Sequence, residues 1–364
     1  LAIVGAGRLG RIHAKLASQL PEFEIVGVVD PQPEACRDVA AQTGASVYRH
    51  PRELFGAVDA VVIASPTAYH HELAADLLRG GVHALVEKPL TLTLEQADDL
   101  VRIARRRHVV LQTGHVERFN PALLSVEGRL QSPKYIEARR TSGYTFRSTD
   151  VGVVLDLMIH DIDLTLALTK SEVTHVEALG ASVMGGHEDM ASARLHFACG
   201  AVAQLTASRT SYEAERRMHV YTPRLFAALD FGTRRATVVE PRSDVASRRF
   251  DAAQLSPEEQ DACRERLFDD VLKRQTLPAV ELNAIEEELR DFARAIRFDV
   301  APRVSGEAGR DAVAVAQQVL EAIEHHAWDG AGIFCGPNAM PPAGPIEDLV
   351  FSPDDTVVLR PKAA

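Results

Sequence analysis

Apolar positions in the first third of the chain fall into short runs at 1–4, 24–29, 60–64, 84–86 and 109–113, rich in Val and Ile. Between them, at 9–20, 33–43, 69–79 and 94–107, apolar and polar residues mix at helical spacing. An unbroken apolar run is a strand buried on both faces, and regular alternation of such strands with helices predicts a parallel, doubly wound sheet over residues 1–120.

The pattern changes after about residue 121. Strands are expected at 134–142, 173–184, 190–198, 201–210, 217–222, 226–231 and 236–240, mostly with no helix between them, and "HFACGAVAQL" (196–205) reads as a hairpin turning at Cys199-Gly200. This is the pattern of an antiparallel sheet, so an α+β domain over 121–328 follows the first. One helix, at 151–168, leads it. Two more, at 280–298 and 306–327, close it, the last with Ser305 as N-cap. Residues 329–364 read as a Gly/Pro-rich tail with one last strand at 356–360. The overall class is α/β with a second, α+β domain.

The chain has 364 residues, enough for two cores, and a formal net charge of −11. The acidic balance argues against nucleic acid or an anionic membrane surface as a partner. No apolar run approaches the roughly 20 residues of a membrane span. Four scattered cysteines form no C-x-x-C pair, so neither a metal site nor a disulfide framework is expected. The cysteine usage and a start unlike a signal peptide point to a cytoplasmic protein.

"LAIVGAGRLGRIHAKLA" sets Gly5-x-Gly7-x-x-Gly10 after the first strand and at the opening of the first helix. Gly5 permits the turn, Gly7 lets a pyrophosphate approach the backbone, and Gly10 lets helix and strand pack closely. The helix N-terminus then offers N–H donors to phosphate. The second strand ends at Asp30, placed to bind ribose hydroxyls. No Arg adjoins Asp30 to receive a 2′-phosphate, which favours NAD over NADP, although Arg37 lies further on. The third strand brings Ser65, Thr67 and His70 to the carboxyl edge of the sheet, where cofactor contacts are expected; His71 is expected to face solvent.

The fourth strand ends in Glu87-Lys88-Pro89 at the same edge. Proline restricts the backbone on both sides of the bond and so aims Lys88, and a cis bond is compatible with the sequence. A lysine ammonium there donates to a hydroxyl or developing alkoxide. In "VVLDLMIHDIDLTLAL" (153–168), Asp156 and His160 stand four apart, on one face if the segment is an α-helix, where the acid would orient the imidazole as a general base.

Together the G-A-G-R-L-G turn, Asp30, Glu87-Lys88-Pro89 and the D-x-x-x-H of Asp156 and His160 resemble the Gfo/Idh/MocA oxidoreductases over roughly residues 1–327. The resemblance implies a Rossmann domain and a C-terminal domain with an open antiparallel sheet that joins copies into a homodimer or homotetramer. It implies NAD as cofactor, held by Gly5, Gly7, Arg8, Leu9, Gly10, Asp30, Ser65, Thr67, His70, Glu87 and Lys88, and a catalytic set of Lys88, Asp156 and His160 with no metal. "GHVERFNPA" (114–122), "FRSTDVGVVLDLMIHDIDL" (146–164) and "ASARLHFACGAVAQLTASR" (191–209) look like a subgroup that oxidises UDP-N-acetylglucosamine at the sugar C3, whose product leads to a 3-amino sugar of lipid A. That adds Arg118, Asn120, Arg147 and Thr149 as substrate contacts beside Lys88, Asp156 and His160; Arg118 reads equally as an interdomain ion pair, and His115 as a packed histidine. The alternatives are another sugar or a cyclitol such as inositol as substrate, and a nicotinamide-binding sensor without chemistry.

Overall fold

The computed structural model describes residues 1–146, 149–278, 281–328, 335–338, 349–351 and 357–359. The first sheet contains β1 (Ala2–Val4), β2 (Gly27–Val29), β3 (Ser46–Tyr48), β4 (Ala60–Ile63), β5 (His83–Glu87) and β6 (Leu111–Gly114). Their order is β3-β2-β1-β4-β5-β6 and every pair is parallel. Helices α1 (Arg8–Ala17), α2 (Pro33–Thr43), α3 (His70–Arg79) and α4 (Leu94–Arg107) lie in the crossovers. The winding reverses between β1 and β4, and such a switch point opens a crevice at the carboxyl ends of the strands. β3 lies outside the expected strands: it is an edge strand of three residues with Val47 half exposed, so it carries no apolar run to read.

The second sheet follows the short helix α5 (Pro121–Leu124). Its strands are β7 (Tyr135–Thr141), β8 (Val173–Ala181), β9 (Met190–Phe197), β10 (Val202–Ser208), β11 (Glu215–Tyr221), β12 (Phe226–Asp230), β13 (Arg235–Pro241) and β14 (Leu272–Thr276). The order is β14-β13-β12-β11-β7-β10-β9-β8, antiparallel except where β7 meets β10. Between β7 and β8 a π-helical turn (Val154–Met158) runs into α6 (Ile159–Thr169). Helices α7 (Ser243–Ala246) and α8 (Pro257–Glu265) join β13 to β14, and α9 (Ala284–Phe298) and α10 (Gly306–His325) come last, α10 capped by Ser305 as expected. The strands β15 (Leu349–Phe351) and β16 (Val357–Leu359) pair antiparallel in the tail.

Alternation along the first sheet sorts its side chains. Ile3, Val28, Val62 and Leu85 pack with Ala14 and Ala17 of α1, Val39 of α2, and Leu289 and Phe292 of α9. Val4, Val61, Ile63 and Val86 enter a second core with Leu77, Leu78 and Leu100. That core continues through α10 to the inner face of the second sheet, where Ile136, Leu195, Leu205, Met218 and Val220 are buried. Each such side chain contributes about 1.5–3 kcal/mol by leaving water. The last two helices therefore return to the first sheet and tie the two sheets together. The outer face of the second sheet is mixed: Glu137, Arg139, Arg194 and Arg217 share it with Tyr135, Tyr221 and Phe226.

Candidate active site

The glycine turn closes as its spacing requires. Gly5 has φ +95° and donates its N–H to the Val29 carbonyl at 2.8 Å. A Cβ on Gly10 would lie 1.8 Å from the Gly5 carbonyl oxygen, so helix and turn meet only without a side chain there. Gly7, at the N-cap of α1, faces open space. Asp30 spans the turn: its Oδ2 accepts from the Ala6 N–H at 2.7 Å and its Oδ1 from the Gln32 N–H at 2.8 Å.

Two adjoining cavities run along this edge. One, of about 580 Å³, is lined by Gly5, Gly7, Asp30, Gln32, Arg49 and Tyr69 among others. The other, of about 360 Å³, is lined by Leu9, Thr67, Glu87, Lys88, Asp150 and Asp156 among others. Gly7, Ala64, Ser65 and Pro66 belong to both, so the cavities form one channel past the glycine turn. The lining fits a dinucleotide: the open backbone at Gly7 would face the pyrophosphate, Asp30 would hold the ribose, and the smaller cavity would leave room for the reactive ring. Arg8 is exposed and lines neither cavity. His70 is buried, and its ring nitrogens lie 2.9 Å from the carbonyls of Pro89 and Ser65. Both nitrogens face carbonyls, so the ring N–H of His70 ties the channel wall together, and the ring lines neither cavity. His71 pairs with Asp99 at 3.0 Å instead of standing free in solvent.

The Lys88–Pro89 peptide is cis. Lys88 Nζ donates to the Asp156 carbonyl at 2.6 Å and to its Oδ1 at 3.1 Å, and both side chains are about one-fifth exposed. The strand-end lysine and the acid of the π-helical turn thus meet on the channel wall. Glu188 holds that turn in place: its carbonyl accepts from the Val153 N–H at 2.9 Å and its Oε1 from the Val154 N–H at 3.0 Å.

Asp156 does not orient His160. Its carboxylate is on Lys88, and His160 Nδ1 is buried without a partner. The expectation assumed an α-helical turn, whereas 154–158 is π-helical, and the i to i+5 bonding of a π turn widens it and breaks the i, i+4 stacking. His160 does not line the smaller cavity, and its ring stands edge-on to that of His115 at 6.2 Å. Burial first, and then the charges of Lys88, Arg140 and other basic groups, push its pKa well below the ordinary value of 6.5. The ring is therefore neutral, with its affinity for a proton reduced. Burial does the same to His115, whose ring nitrogens both lack partners.

Further from the channel, Arg118 stands 3.0 Å from Asp163 as an ion pair and lines a separate cavity with Lys170 and Arg303. Asn120 is buried as the N-cap of α5: its Oδ1 accepts from the Ala122 N–H, and its Nδ2 donates to Glu117 and to the Phe231 carbonyl. Local capping uses the polar atoms of Asn120, which corrects its expected substrate contact, whereas the Arg118–Asp163 contact is the interdomain ion pair of the alternative reading of Arg118. Thr149 is exposed and lines neither cavity; Arg147 lies outside the described residues. Sequence reasoning missed Glu188, and it missed Arg140, which is buried between Asp161 and Glu117 at 2.9 and 2.8 Å. An acid before β9 and a basic residue inside a strand give no local sign of their partners.

The sequence model of an oxidoreductase family with an NAD-binding Rossmann fold, Gfo/Idh/MocA, matches residues 1–115, and that of the family's C-terminal domain matches residues 122–224. The chain is 35% identical to a UDP-N-acetylglucosamine 3-dehydrogenase of Acidithiobacillus ferrooxidans, over 88% of this chain and 96% of that relative. It is 31% identical to an NAD⁺-dependent scyllo-inositol 2-dehydrogenase of Bacillus subtilis, over 58% of this chain and 67% of that relative. A solved structure of UDP-N-acetylglucosamine 3-dehydrogenase GnnA from A. ferrooxidans superposes with a TM-score of 0.77 at 33% identity, covering 89% of this chain and 97% of that one.

Proposed function

The chain belongs to the Gfo/Idh/MocA oxidoreductases, with their NAD-binding Rossmann fold, and on that premise we propose that it oxidises the C3 hydroxyl of UDP-N-acetylglucosamine to a ketone. The observation that carries the reading is the meeting of Lys88, from the parallel sheet, with Asp156, from the helix leading into α6, on the wall of the channel that holds the dinucleotide. The two are 68 residues apart in sequence, one at the end of β5 and one in the 154–158 turn, and the channel is where they meet. The likeness to the A. ferrooxidans enzyme over most of both chains supports the sugar and the carbon.

In this reading residues 1–120 bind the cofactor, 121–328 hold the sugar and 329–364 form a tail. NAD, when bound, supplies the hydride acceptor. Lys88, held by Asp156, donates to the substrate oxygen and stabilises the charge that develops on it. His160 is the neutral ring a proton acceptor must be, and in this reading it takes the hydroxyl proton; burial and its cationic neighbours make it a weak base, so the transfer leans on the charge stabilisation that Lys88 gives the substrate oxygen. Its Nδ1 is buried, so Nε2 is the nitrogen that receives it. The proton thus goes to the protein as the carbon gives up its hydride. The protein acts in the cytoplasm, where nucleotide sugars are made, and as a homo-oligomer built on the mixed outer face of the second sheet. No described helix is long and apolar enough to cross a membrane.

The test is to incubate the protein with NAD⁺ and a panel of UDP-N-acetylglucosamine, other nucleotide sugars, free sugars and inositols while following the absorbance of reduced cofactor. Fastest turnover with UDP-N-acetylglucosamine and a 3-keto product support the reading. Preference for an inositol would move the substrate assignment to the cyclitols.

A further inference from the structure

Running inward from the channel wall at Glu87 lies a second group whose deeper members the reaction does not use. His13 of α1, Glu87 of β5 and Glu288 of α9 converge there, all buried, His13 and Glu288 completely. One polar atom from each lies within 4.8 Å of those of the other two. The hydrogen bonds are shared unequally. Glu87 Oε1 meets His13 Nε2 at 2.6 Å, and Glu87 Oε2 accepts from the backbone N–H of Lys88 at 3.2 Å. Both carboxylate oxygens of Glu288 are buried without a partner, as is His13 Nδ1.

Two ionised carboxylates this close and this dry repel each other unless a cation faces both. Among the described residues, the His13 imidazole and the Lys88 backbone N–H face Glu87, and no hydrogen-bond partner faces the Glu288 carboxylate. The other groups around α9 are engaged elsewhere. Asp291, on α9 itself, accepts from Arg294 and from the Arg303 N–H. In the turn at 116–119, Glu117 binds Arg140 and Arg118 pairs with Asp163. Gln112 of β6 donates to the backbone carbonyl of Glu288 and not to its side chain. His115 is held neutral by burial. The pair therefore resolves into one charged and one neutral acid. Burial opposes the Glu87 charge, but His13 and Lys88 outweigh it and keep Glu87 below the usual carboxylate range. Burial, then the Glu87 charge, then that of Asp291, push Glu288 well above it.

We propose that Glu288 is a positioning residue: it stands in the core as a neutral carboxylic acid, shares its proton with Glu87, and through Glu87 fixes the backbone from which Lys88 projects. The catalytic consequence rests on Lys88 acting on the substrate oxygen; the protonation and its effect on the 83–91 segment do not. The proton gives the facing carboxylates the donor that the cluster otherwise lacks, and Glu87 is then held from three sides, by His13, by the Lys88 amide and by Glu288.

The experiment compares the full-length wild type with Glu288→Gln, which keeps a neutral hydrogen-bonding group, and Glu288→Leu, which does not. Infrared difference spectra of wild type against Glu288→Gln at about pH 7 are expected to show the carbonyl band of a protonated carboxyl in the wild type. Deuterium exchange of the 83–91 segment is expected to stay slow in Glu288→Gln and to accelerate in Glu288→Leu. With the substrate identified in the panel, Glu288→Gln is expected to keep kcat within roughly threefold, while Glu288→Leu loses about tenfold in kcat with little change in dinucleotide affinity. The folded-state pKa of Glu288 is raised, so its contribution to stability is full below the unfolded value and is lost as pH rises through the folded value. The melting temperature of the wild type should therefore fall with rising pH relative to Glu288→Gln. Absence of the acid band, or equal damage from Gln and Leu, overturns the proposal. So does a stoichiometric metal ion whose chelation lowers the melting temperature, since the three groups would then be ionised ligands. The infrared, exchange and melting measurements need no substrate, so a failure here is distinguishable from a failure of the sugar assignment.

Discussion

Two buried charged clusters flank the point where the two sheets meet, and they are built differently. Around Arg140 the charges close on themselves: the guanidinium reaches Asp161 through two nitrogens and Glu117 through a third, and Glu117 also accepts from Asn120. Burial works against the Arg140 charge, but the two carboxylates outweigh it and raise its pKa above the ordinary value. Around Glu87 the count is open: two carboxylates share one imidazole and one backbone N–H, and two carboxylate oxygens remain unpartnered. The closed cluster ties β7, the 116–119 turn and α6 into one frame. The open one lies directly against the lysine that reaches the channel. A folded chain tolerates an unfinished set of buried polar groups where something is held for function, and completes the set where the only task is to hold the fold.

The largest effect expected from breaking this contrast is at Arg140. Arg140→Met strands two buried carboxylates and should cost about 3–5 kcal/mol of stability, measured by denaturant unfolding. A loss below 1 kcal/mol would mean that the closed cluster is not the frame described. Next is His160→Asn, which should leave the fold and dinucleotide binding intact and lower kcat by roughly 10²–10⁴. Unchanged turnover would remove the imidazole from the reaction. Asp30→Ala removes an acceptor from the ribose site and should weaken NAD⁺ binding about tenfold or more, read by calorimetry, with kcat at saturation little changed. An equal loss in both constants would show that the bonds to Ala6 and Gln32 are what matter.

The pH dependence tests both histidines. His160 and His115 have lowered pKa values in the fold, so the folded chain binds fewer protons than the unfolded one near pH 6. Their contribution to stability is present above the unfolded value, about 6.5, and is lost as pH falls below it. Oxidation should not show the loss of rate near that pH that an ordinary histidine base would give. A kinetic pKa near 6.5 would contradict the neutral, buried His160. The smallest effect is expected at the surface: Arg105→Gln, which breaks an exposed pair with Glu307 at 2.9 Å, should change stability by about 0–1 kcal/mol.

How far the sequence reveals this arrangement depends on how local each feature is. The glycine turn, Asp30 and the lysine at the end of β5 are legible because strand end, turn and helix start occupy adjacent residues, and the parallel sheet is legible because its central strands β1, β2 and β4 are apolar throughout. β3 is not, since a short exposed edge strand has no core side to mark it. The Asp156–His160 spacing misleads because a π-helical turn replaces the α-helical one, sending the acid to Lys88. The roles of Arg118 and Asn120 go to local partners that only folding supplies. His13, Glu87 and Glu288 belong to three elements far apart in sequence, and a glutamate on an amphipathic helix gives no sign that it will be fully buried.

The central claim is that hydride leaves a secondary sugar carbon at a site organised by Lys88. It is tested most directly by a single turnover of UDP-N-acetylglucosamine deuterated at C3, in the wild type and in Lys88→Met, with NAD⁺ affinity measured for both. The predicted result is deuterium on the reduced cofactor with the wild type, and a rate lower by roughly 10²–10³ in Lys88→Met at nearly unchanged NAD⁺ affinity. Deuterium retained in the sugar, or transferred at the wild-type rate by Lys88→Met, would contradict it.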